Sequence, residues 1–291
     1  MNPRPPTLDQ VCEKALRLPC APALLPQLST ALQSEDSSAQ EIERLIALDA
    51  SLAAATLRLA NSAALGRGKA ETLETAVFRL GTREIYRLAA LVLVSRWETG
   101  SAEQLRWGPG DFSRHALCTA IAAEVLAEAT GRIDPPAAYT AGLVCDLGKL
   151  ALAHGGRDFY PAVREACAAG GCTWEQAERS VFGFHHADVG ARLLGSWRFP
   201  RLFVLLAEHQ LLPAAAPADA QPLLAHFLAA KHLATAMGPA GLEEGFLAAV
   251  PGAFLLEHGF TTEILEGAMP TVLEIASRRL GEQLTHGAVK L

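Results

Sequence analysis

The sequence lacks the signatures of several large classes of enzyme and membrane protein. None of its six cysteines forms a C-x-x-C pair, so neither a zinc knuckle nor a thiol redox motif is predicted. It contains no G-x-x-x-x-G-K-[ST] loop and no G-x-S-x-G elbow, which leaves P-loop nucleotide hydrolysis and serine hydrolysis without support. The longest strongly apolar run, from Leu88 to Val94, is far shorter than the ~20 residues that cross a bilayer.

Basic residues are fewer than acidic ones. The chain has 25 Lys and Arg against 31 Asp and Glu, a net charge of −6, which is the wrong sign for a protein that mainly coats phosphate backbones. We therefore expect no DNA partner. Prolines interrupt the N-terminus where a signal peptide needs an unbroken apolar stretch, so we expect a cytoplasmic protein without membrane association. Its singly scattered cysteines fit reduced, mostly buried thiols: Cys12, Cys20, Cys118, Cys145, Cys167 and Cys172.

What the chain does have is helical periodicity. Hydrophobic residues make up 50% and charged residues 19%, which is typical of a globular protein and excludes a disordered one. Apolar residues recur three and four positions apart, and β-branched alternation is almost absent, so the pattern predicts an all-α fold. Thr173 with Gln176 has the spacing of a capping box and predicts a helix start, whereas Gly81 and Gly131 stand where helices should end.

Two stretches interrupt the helical pattern and suggest how the chain is divided. The Trp-Gly-Pro-Gly cluster at 107–110 predicts a boundary between two packed helical subdomains, and PAAAPADAQP at 213–222 cannot continue a helix. We therefore expect an N-terminal helical half over 1–107, a second helical half over 108–212, and a helical extension over 213–291 that packs on the second half.

Four residues on separate predicted helices could carry metal chemistry. His115, Asp146, His186 and His209 are imidazoles and a carboxylate, and side chains of these types can hold a divalent metal if the fold brings them together. Each one alone is more often a hydrogen-bonded core residue than a ligand. Only their order along the chain favours the metal interpretation.

Two further motifs have a structural and a functional interpretation. Arg79, Arg83 and Arg87 are spaced four apart, as in a stripe that meets phosphates or an acidic partner, but a solvated helix face explains the same spacing. Asn61 and Ser62 in LANSAALG favour caps and turns, so we expect a turn there.

The order of these segments resembles the HD superfamily of metal-dependent phosphohydrolases and, more specifically, the HDOD family of bacterial signalling proteins. YTAGLVCDLGKLAL is similar to the His-Asp helix of that superfamily, and HHADVGARLLGSWRFP to the stretch that follows it. RLPCAPALLPQL, IERLIALDASLAAATLRLANSAALG and TLETAVFRLGTREIYRLAAL resemble the N-terminal half of the HDOD family. The resemblance implies an HD-like second half, and in the superfamily a His, a His-Asp pair and later His and Asp residues bind one or two metals.

Three positions depart from that metal-binding pattern. The His-Asp pair is Cys145-Asp146, the later His-His pair is His209-Gln210, and the resemblance places Lys231 where a late Asp is expected. An ammonium in place of a carboxylate repels a cation instead of attracting it, and each unit-charge interaction is worth about 4 kcal/mol at 4 Å and an effective dielectric of about 20. We therefore expect no metal and no cofactor, and a relic site formed by His115, Cys145, Asp146, His186, His209, Gln210 and Lys231.

Taken with the resemblance, these departures predict a non-enzymatic signal-transduction or regulatory scaffold that contacts other signalling proteins. One alternative is a divergent phosphohydrolase acting on a nucleotide or cyclic dinucleotide, with His115, Asp146, His186 and His209 as ligands and Lys149 near the phosphate. Another alternative is a sensor that binds a small nucleotide or other anion in the relic pocket, with Lys231 as the counter-charge. None of the three requires DNA contact.

Overall fold

The computed structural model describes residues 4–17, 24, 27–28, 31, 39–62, 69–98, 101–105, 107–237 and 251–285. Within them every regular element is a helix and no strand occurs, which confirms the predicted all-α fold. The helices before the Trp-Gly-Pro-Gly cluster are α1 (Leu8–Leu16), α2 (Ala39–Ala47), α3 (Ala50–Ala60), α4 (Leu73–Leu80), α5 (Thr82–Glu98) and a 3-10 turn (Ala102–Leu105). None of the described helices is both long enough and apolar enough to cross a membrane.

The helices after the cluster carry most of the predicted site residues. They are α6 (Asp111–Thr130), α7 (Pro135–Val144), α8 (Leu147–Gly155), α9 (Tyr160–Ala168), α10 (Trp174–Phe182), α11 (His186–Ser196), α12 (Arg201–His209), α13 (Gln221–Met237), α14 (Gly252–Glu257) and α15 (Thr262–Thr285). Short 3-10 turns lie at Arg157–Phe159 and Pro213–Ala215.

Helix α6 is the central element of the fold. It packs against α5, α7, α13 and α15, and most of its side chains are buried. The contact with α7 is backbone to backbone, since a Cβ atom on Gly142 would lie 2.5 Å from the Cα atom of Ala120. Glycine is therefore required where these two helices meet, and the close contact fixes the position of the chain segment that follows α7.

A glutamate at the end of α5 caps the start of α6. Gly110 precedes the helix with φ 81° and has no side chain to accept hydrogen bonds. The carboxylate of Glu98 accepts them instead, from the amides of Phe112 and Ser113, each at 3.1 Å. Unsatisfied amides at a helix start favour such an acceptor, so Glu98 links the end of α5 to the start of α6.

Side chains from both sides of residue 108 share one hydrophobic core. The rings of Trp97 and Trp197 meet edge to face with centroids 4.9 Å apart, and both are buried. The division at 108 remains a prediction about how the sequence is organised, as does the boundary at 212/213.

The predicted helix ends and turn agree with the structure. The Thr173 amide donates to Oε1 of Gln176 at 3.0 Å, and α10 begins at the next residue. Gly81 and Gly131 follow α4 and α6 with φ values of 74° and 63°. Asn61 forms the predicted turn, because its side chain bonds the backbone of Ala70 in both directions, at 2.7 and 2.9 Å.

The arginine stripe is only in part the solvated face that its spacing indicates, because the Arg83 side chain is 50% exposed but that of Arg87 is largely buried. Arg83 contacts Oε1 of Glu124 on α6 at 2.5 Å, and Arg87 donates to the same oxygen. The Arg87 side chain is only 13% exposed, so it is neither solvated nor available to a phosphate. Arg79 donates to the backbone oxygen of Ala60 at 3.0 Å. The arginines thus form ion pairs and a hydrogen bond within the fold, and the ion pairs join α5 to α6.

Candidate functional site

Five helical segments bring most of the predicted positions together. His115 lies near the start of α6, Asp146 lies between α7 and α8, and His186 is the first residue of α11. Gln210 follows α12, and Lys231 comes from α13. We call the buried group formed by His115, Asp146, Lys149, His186, Gln210 and Lys231 the Asp146 cluster.

A glycine sets the distance between the helices that carry Asp146 and His186. A Cβ atom on Gly148 would lie 2.0 Å from the carbonyl oxygen of His186 and 2.6 Å from the amide nitrogen of Gly190. Both distances are far below a van der Waals contact, so α8 and α11 touch through their backbones. The Leu-Gly-Lys sequence after Asp146 thus has a packing role that is independent of any chemistry.

The Lys231 ammonium holds the Asp146 carboxylate from both oxygens. Its Nζ atom lies 3.0 Å from Oδ1 and 2.9 Å from Oδ2, and it donates to Oε1 of Gln210 at 3.4 Å. The Gln210 side chain in turn donates to the backbone oxygen of Cys145 at 3.2 Å. Two of the departures seen in the sequence, Gln210 and Lys231, therefore form one network around the aspartate.

A second lysine lies on the other side of the same carboxylate. Lys149 Nζ is 3.5 Å from Oδ1 of Asp146, and the two side chains are 6% and 7% exposed. Burial opposes the ionisation of Asp146, but the ammonium groups of Lys149 and Lys231 outweigh it and hold the pKa of Asp146 well below its ordinary value. The carboxylate is thus ionised at neutral pH and faces two basic groups.

Burial opposes the charged forms of Lys149 and His115. Burial lowers the pKa of Lys149 to about 7, an effect that Asp146 resists and Lys231 reinforces. Burial also lowers the pKa of His115 to about 3, so its imidazole is neutral at pH 7. The His115 ring lies edge-on to Trp107, with centroids 5.5 Å apart.

Sequence reasoning missed Glu178, the carboxylate that orients His186. It is fully buried, and its Oε2 accepts from the amide of His186 at 2.8 Å and lies 2.7 Å from Nδ1 of the same residue. Its Oε1 accepts from the Tyr160 hydroxyl at 3.0 Å and from the Trp174 indole at 3.1 Å. Burial opposes its ionisation, but His186 and these hydrogen bonds hold the pKa of Glu178 below its ordinary value.

A signal for Glu178 was present in the helical pattern. Trp174 and Glu178 are four residues apart in α10, so the charged residue falls on the same apolar face as the tryptophan. A charge on a buried face needs partners. Glu178 contacts Nδ1 of His186, and the other ring nitrogen, Nε2, is buried and has no hydrogen-bond partner among the described residues. Metal-binding histidines are commonly oriented by a carboxylate in this way.

Two features of the donor set oppose the binding of a divalent metal. The only carboxylate of the cluster has both of its oxygens bonded to Lys231. Burial raises the pKa of the Cys145 thiol well above its ordinary value, so it stays protonated and is a poor ligand. In the part of the chain that is described, no group of three or more His, Cys, Asp or Glu side chains is arranged to hold a metal ion.

His209 does not join the cluster in the way that its neighbour does. It is half-buried at the end of α12, whereas Gln210 is buried and bonds both Cys145 and Lys231. Of the seven positions predicted for the relic site, His115, Cys145, Asp146, His186, Gln210 and Lys231 lie in or against the cluster. Lys149, predicted to lie near the phosphate in the phosphohydrolase alternative, contacts the Asp146 carboxylate.

A family model for the HDOD domain matches residues 18–213. The chain belongs to the HDOD family. The match includes every cluster residue except Lys231, so the ammonium that closes the site comes from α13, beyond the matched part of the chain. No match was found among curated proteins.

Solved structures share this HDOD fold over nearly the whole chain. An HDOD domain protein of unknown function from Geobacter sulfurreducens is 22% identical, with a TM-score of 0.68 and 98% of each chain covered. A candidate phosphohydrolase from Shewanella amazonensis SB2B is 24% identical, with a TM-score of 0.67 over 97% of this chain and 98% of the other. A candidate signal transduction protein from Marinobacter aquaeolei VT8 is 20% identical, with a TM-score of 0.71 over 97% of this chain and 65% of the other.

Proposed function

We propose that this HDOD protein is a bacterial signal-transduction module that acts by contacting other signalling proteins and does not catalyse phosphoester hydrolysis. The observation that carries the proposal is the ion pair between Lys231 and both oxygens of Asp146. Metal-dependent hydrolysis needs an ion with an open position for water, and it needs anionic ligands to hold that ion. Here the one carboxylate is already neutralised by the protein.

The geometry of the pair supports stable occupation by the lysine. Lys231 Nζ also donates to Gln210, so the ammonium has two acceptor residues in a site where the Lys231 side chain is 17% exposed and that of Asp146 is 7% exposed. A metal would have to displace a cation that is covalently part of the chain, and whose effective concentration at the site is high. We therefore expect the Lys231 ammonium, and not a metal ion, to occupy the position beside Asp146.

Metal content and hydrolysis, measured together on one preparation, test the proposal. Protein purified without chelator is analysed for transition metals and is assayed with Mn²⁺ and Mg²⁺ against bis(p-nitrophenyl) phosphate and a panel of cyclic dinucleotides. We expect substoichiometric metal and no turnover above that of the Asp146→Ala variant. Stoichiometric metal with turnover that Asp146→Ala abolishes would overturn the proposal.

A divergent phosphohydrolase is the second candidate, and one observation favours it. His186 keeps Nε2 buried and unbonded among the described residues while Glu178 lies at Nδ1, which is the arrangement of a metal-binding histidine. In that case Lys231 would have to leave Asp146 when metal binds. The metal and hydrolysis measurements above distinguish the two functions.

A further inference from the structure

Two partly exposed cysteines flank the glycines of the turn between α9 and α10. Cys167 lies in the last turn of α9, and Cys172 lies two residues before α10 begins. Cys12, Cys118 and Cys145 are buried and therefore less accessible than Cys167 and Cys172. Cys20 lies outside the described residues.

The chain reverses direction between the two thiols. Gly170 and Gly171 have φ values of 79° and 89°, a conformation that side-chain-bearing residues rarely adopt, and a Cβ atom on either would meet nothing within 4 Å. The glycines are therefore needed for the backbone reversal and not for close packing. The result is that the segment before Gly170 runs beside the segment after Gly171.

Sulfur contacts show how close the two segments come. Cys172 Sγ lies 3.4 Å from the carbonyl oxygen of Ala166, which belongs to the peptide group that joins Ala166 to Cys167. Cys167 Sγ lies 4.0 Å from the carbonyl oxygen of Thr173, the residue after Cys172. Each sulfur thus lies against the backbone of a residue next to the other cysteine.

We propose that Cys167 and Cys172 are a dithiol modification site that a low-molecular-weight disulfide such as glutathione disulfide oxidises to an intramolecular disulfide. One thiolate attacks the glutathione disulfide and releases one glutathione, and the second thiolate attacks the mixed disulfide and releases the other. Two thiols lose two protons and two electrons, and one disulfide becomes two glutathione thiols, so the exchange balances.

The site lies at the start of the helix that orients His186. Thr173 precedes α10, and Trp174 and Glu178 of that helix form part of the buried network that includes His186. A disulfide across the turn therefore fixes the segment from which this network begins. This inference does not depend on whether the module hydrolyses phosphoesters.

Equilibration of the full chain with reduced and oxidised glutathione tests the inference. Trypsin cleaves after Arg164 and Arg179, so both cysteines fall in one peptide that contains no other cysteine. After quenching with an alkylating reagent, we expect this peptide to lose the mass of two hydrogen atoms and to carry no alkyl group. Two alkyl groups, or two separately bound glutathiones, would overturn the inference.

The contribution of the fold is measured by repeating the equilibration in urea. We expect the ratio of disulfide to dithiol at a given glutathione poise to be about tenfold higher in the folded chain, because the turn raises the effective concentration of one thiol near the other. An equal or lower ratio in the folded chain would also overturn the inference. Cys167→Ser and Cys172→Ser serve as controls that form only the mixed disulfide.

Discussion

Replacement of Lys231 by methionine tests the central ion pair most directly. Methionine keeps much of the length and apolar character of the lysine side chain but removes the ammonium that bonds Oδ1 and Oδ2 of Asp146. Removal of one partner of a buried pair typically costs 3–5 kcal/mol, roughly, because it leaves a charge without its counter-charge. Lys149 remains 3.5 Å from Oδ1, so we expect the lower limit, about 3 kcal/mol.

Urea denaturation and thermal melts measure this loss. A change of about 3 kcal/mol corresponds to a fall in Tm of roughly 6–12 °C for a chain of this size. Lys69→Met is the matched control, because Lys69 is exposed and its replacement should change the free energy of unfolding by less than about 0.5 kcal/mol. If Lys231→Met were no more destabilising than Lys69→Met, the ion pair would not have the role assigned to it.

A double-mutant cycle separates the pair from its surroundings. Asp146→Asn combined with Lys231→Met removes both charges, so we expect the double variant to be more stable than the sum of the two single losses predicts, by about 2 kcal/mol. The pH dependence has a defined sign, since the pKa of Asp146 is depressed. Its stabilising contribution is fully present above the ordinary carboxyl pKa and is lost as pH falls below it. Strict additivity, or a contribution that increases on acidification, would refute the reasoning.

Three further substitutions have matched controls. Gly148→Ala would place a carbon 2.0 Å from the carbonyl oxygen of His186 and should abolish the cooperative thermal transition. In the control Gly195→Ala the new methyl group has no neighbour within 4 Å, so stability should be unchanged or slightly higher. A normal melt for Gly148→Ala would refute the packing argument. Glu178→Gln turns one buried acceptor into a donor and should lower the free energy of unfolding, measured in urea, by about 2–3 kcal/mol. Tyr160→Phe removes a single hydrogen bond to the same carboxylate and should lower it by about 1 kcal/mol. A larger loss for Tyr160→Phe than for Glu178→Gln would contradict the role assigned to Glu178. Glu124→Gln should lower the free energy of unfolding by about 1–3 kcal/mol because Arg83 and Arg87 both contact Glu124. The control is Glu128→Gln, which should change it by less than about 0.5 kcal/mol because Glu128 is 56% exposed and lies 3.4 Å from Arg83. Equal losses would show that the ion pairs between α5 and α6 contribute little to stability.

The helical fold could be predicted from the sequence because its signals are local. Periodicity, capping spacing and glycine placement act over a few residues, and Thr173 with Gln176, Gly81 and Gly131 all mark real helix ends. The positions of Asp146, Gln210 and Lys231 were predicted only through the family resemblance, since residues 85 apart, such as Asp146 and Lys231, give no local sign that they meet. The resemblance supplied the long-range information that periodicity lacks.

The contacts of the arginine stripe and of Glu178 could not be predicted from the sequence for the same physical reason. Arg83 and Arg87 have a spacing that fits a solvated face, and only the acidic side chain of Glu124, 37 residues beyond Arg87, shows why they are there. The role of Glu178 likewise depends on Tyr160 and His186, which lie on the preceding and following helices. In both cases the charge was visible in the sequence, but the partner that explains it lies on another helix.

An ammonium can replace a metal ion as a cross-link without replacing it as a catalyst. Lys231 joins α13 to the segment before α8 and, through Gln210, to the end of α12, so it connects three elements that a metal with ligands on each would also connect. It cannot bind a water molecule in an open coordination position or lower the pKa of that water, which is what hydrolysis requires of the ion. A chain that conserves the cross-link keeps the shape of the helical core and the surfaces that this core supports. Loss of Lys231 should therefore weaken the fold and, with it, the binding of partners. It should not affect hydrolysis, because the proposed function includes no hydrolytic activity.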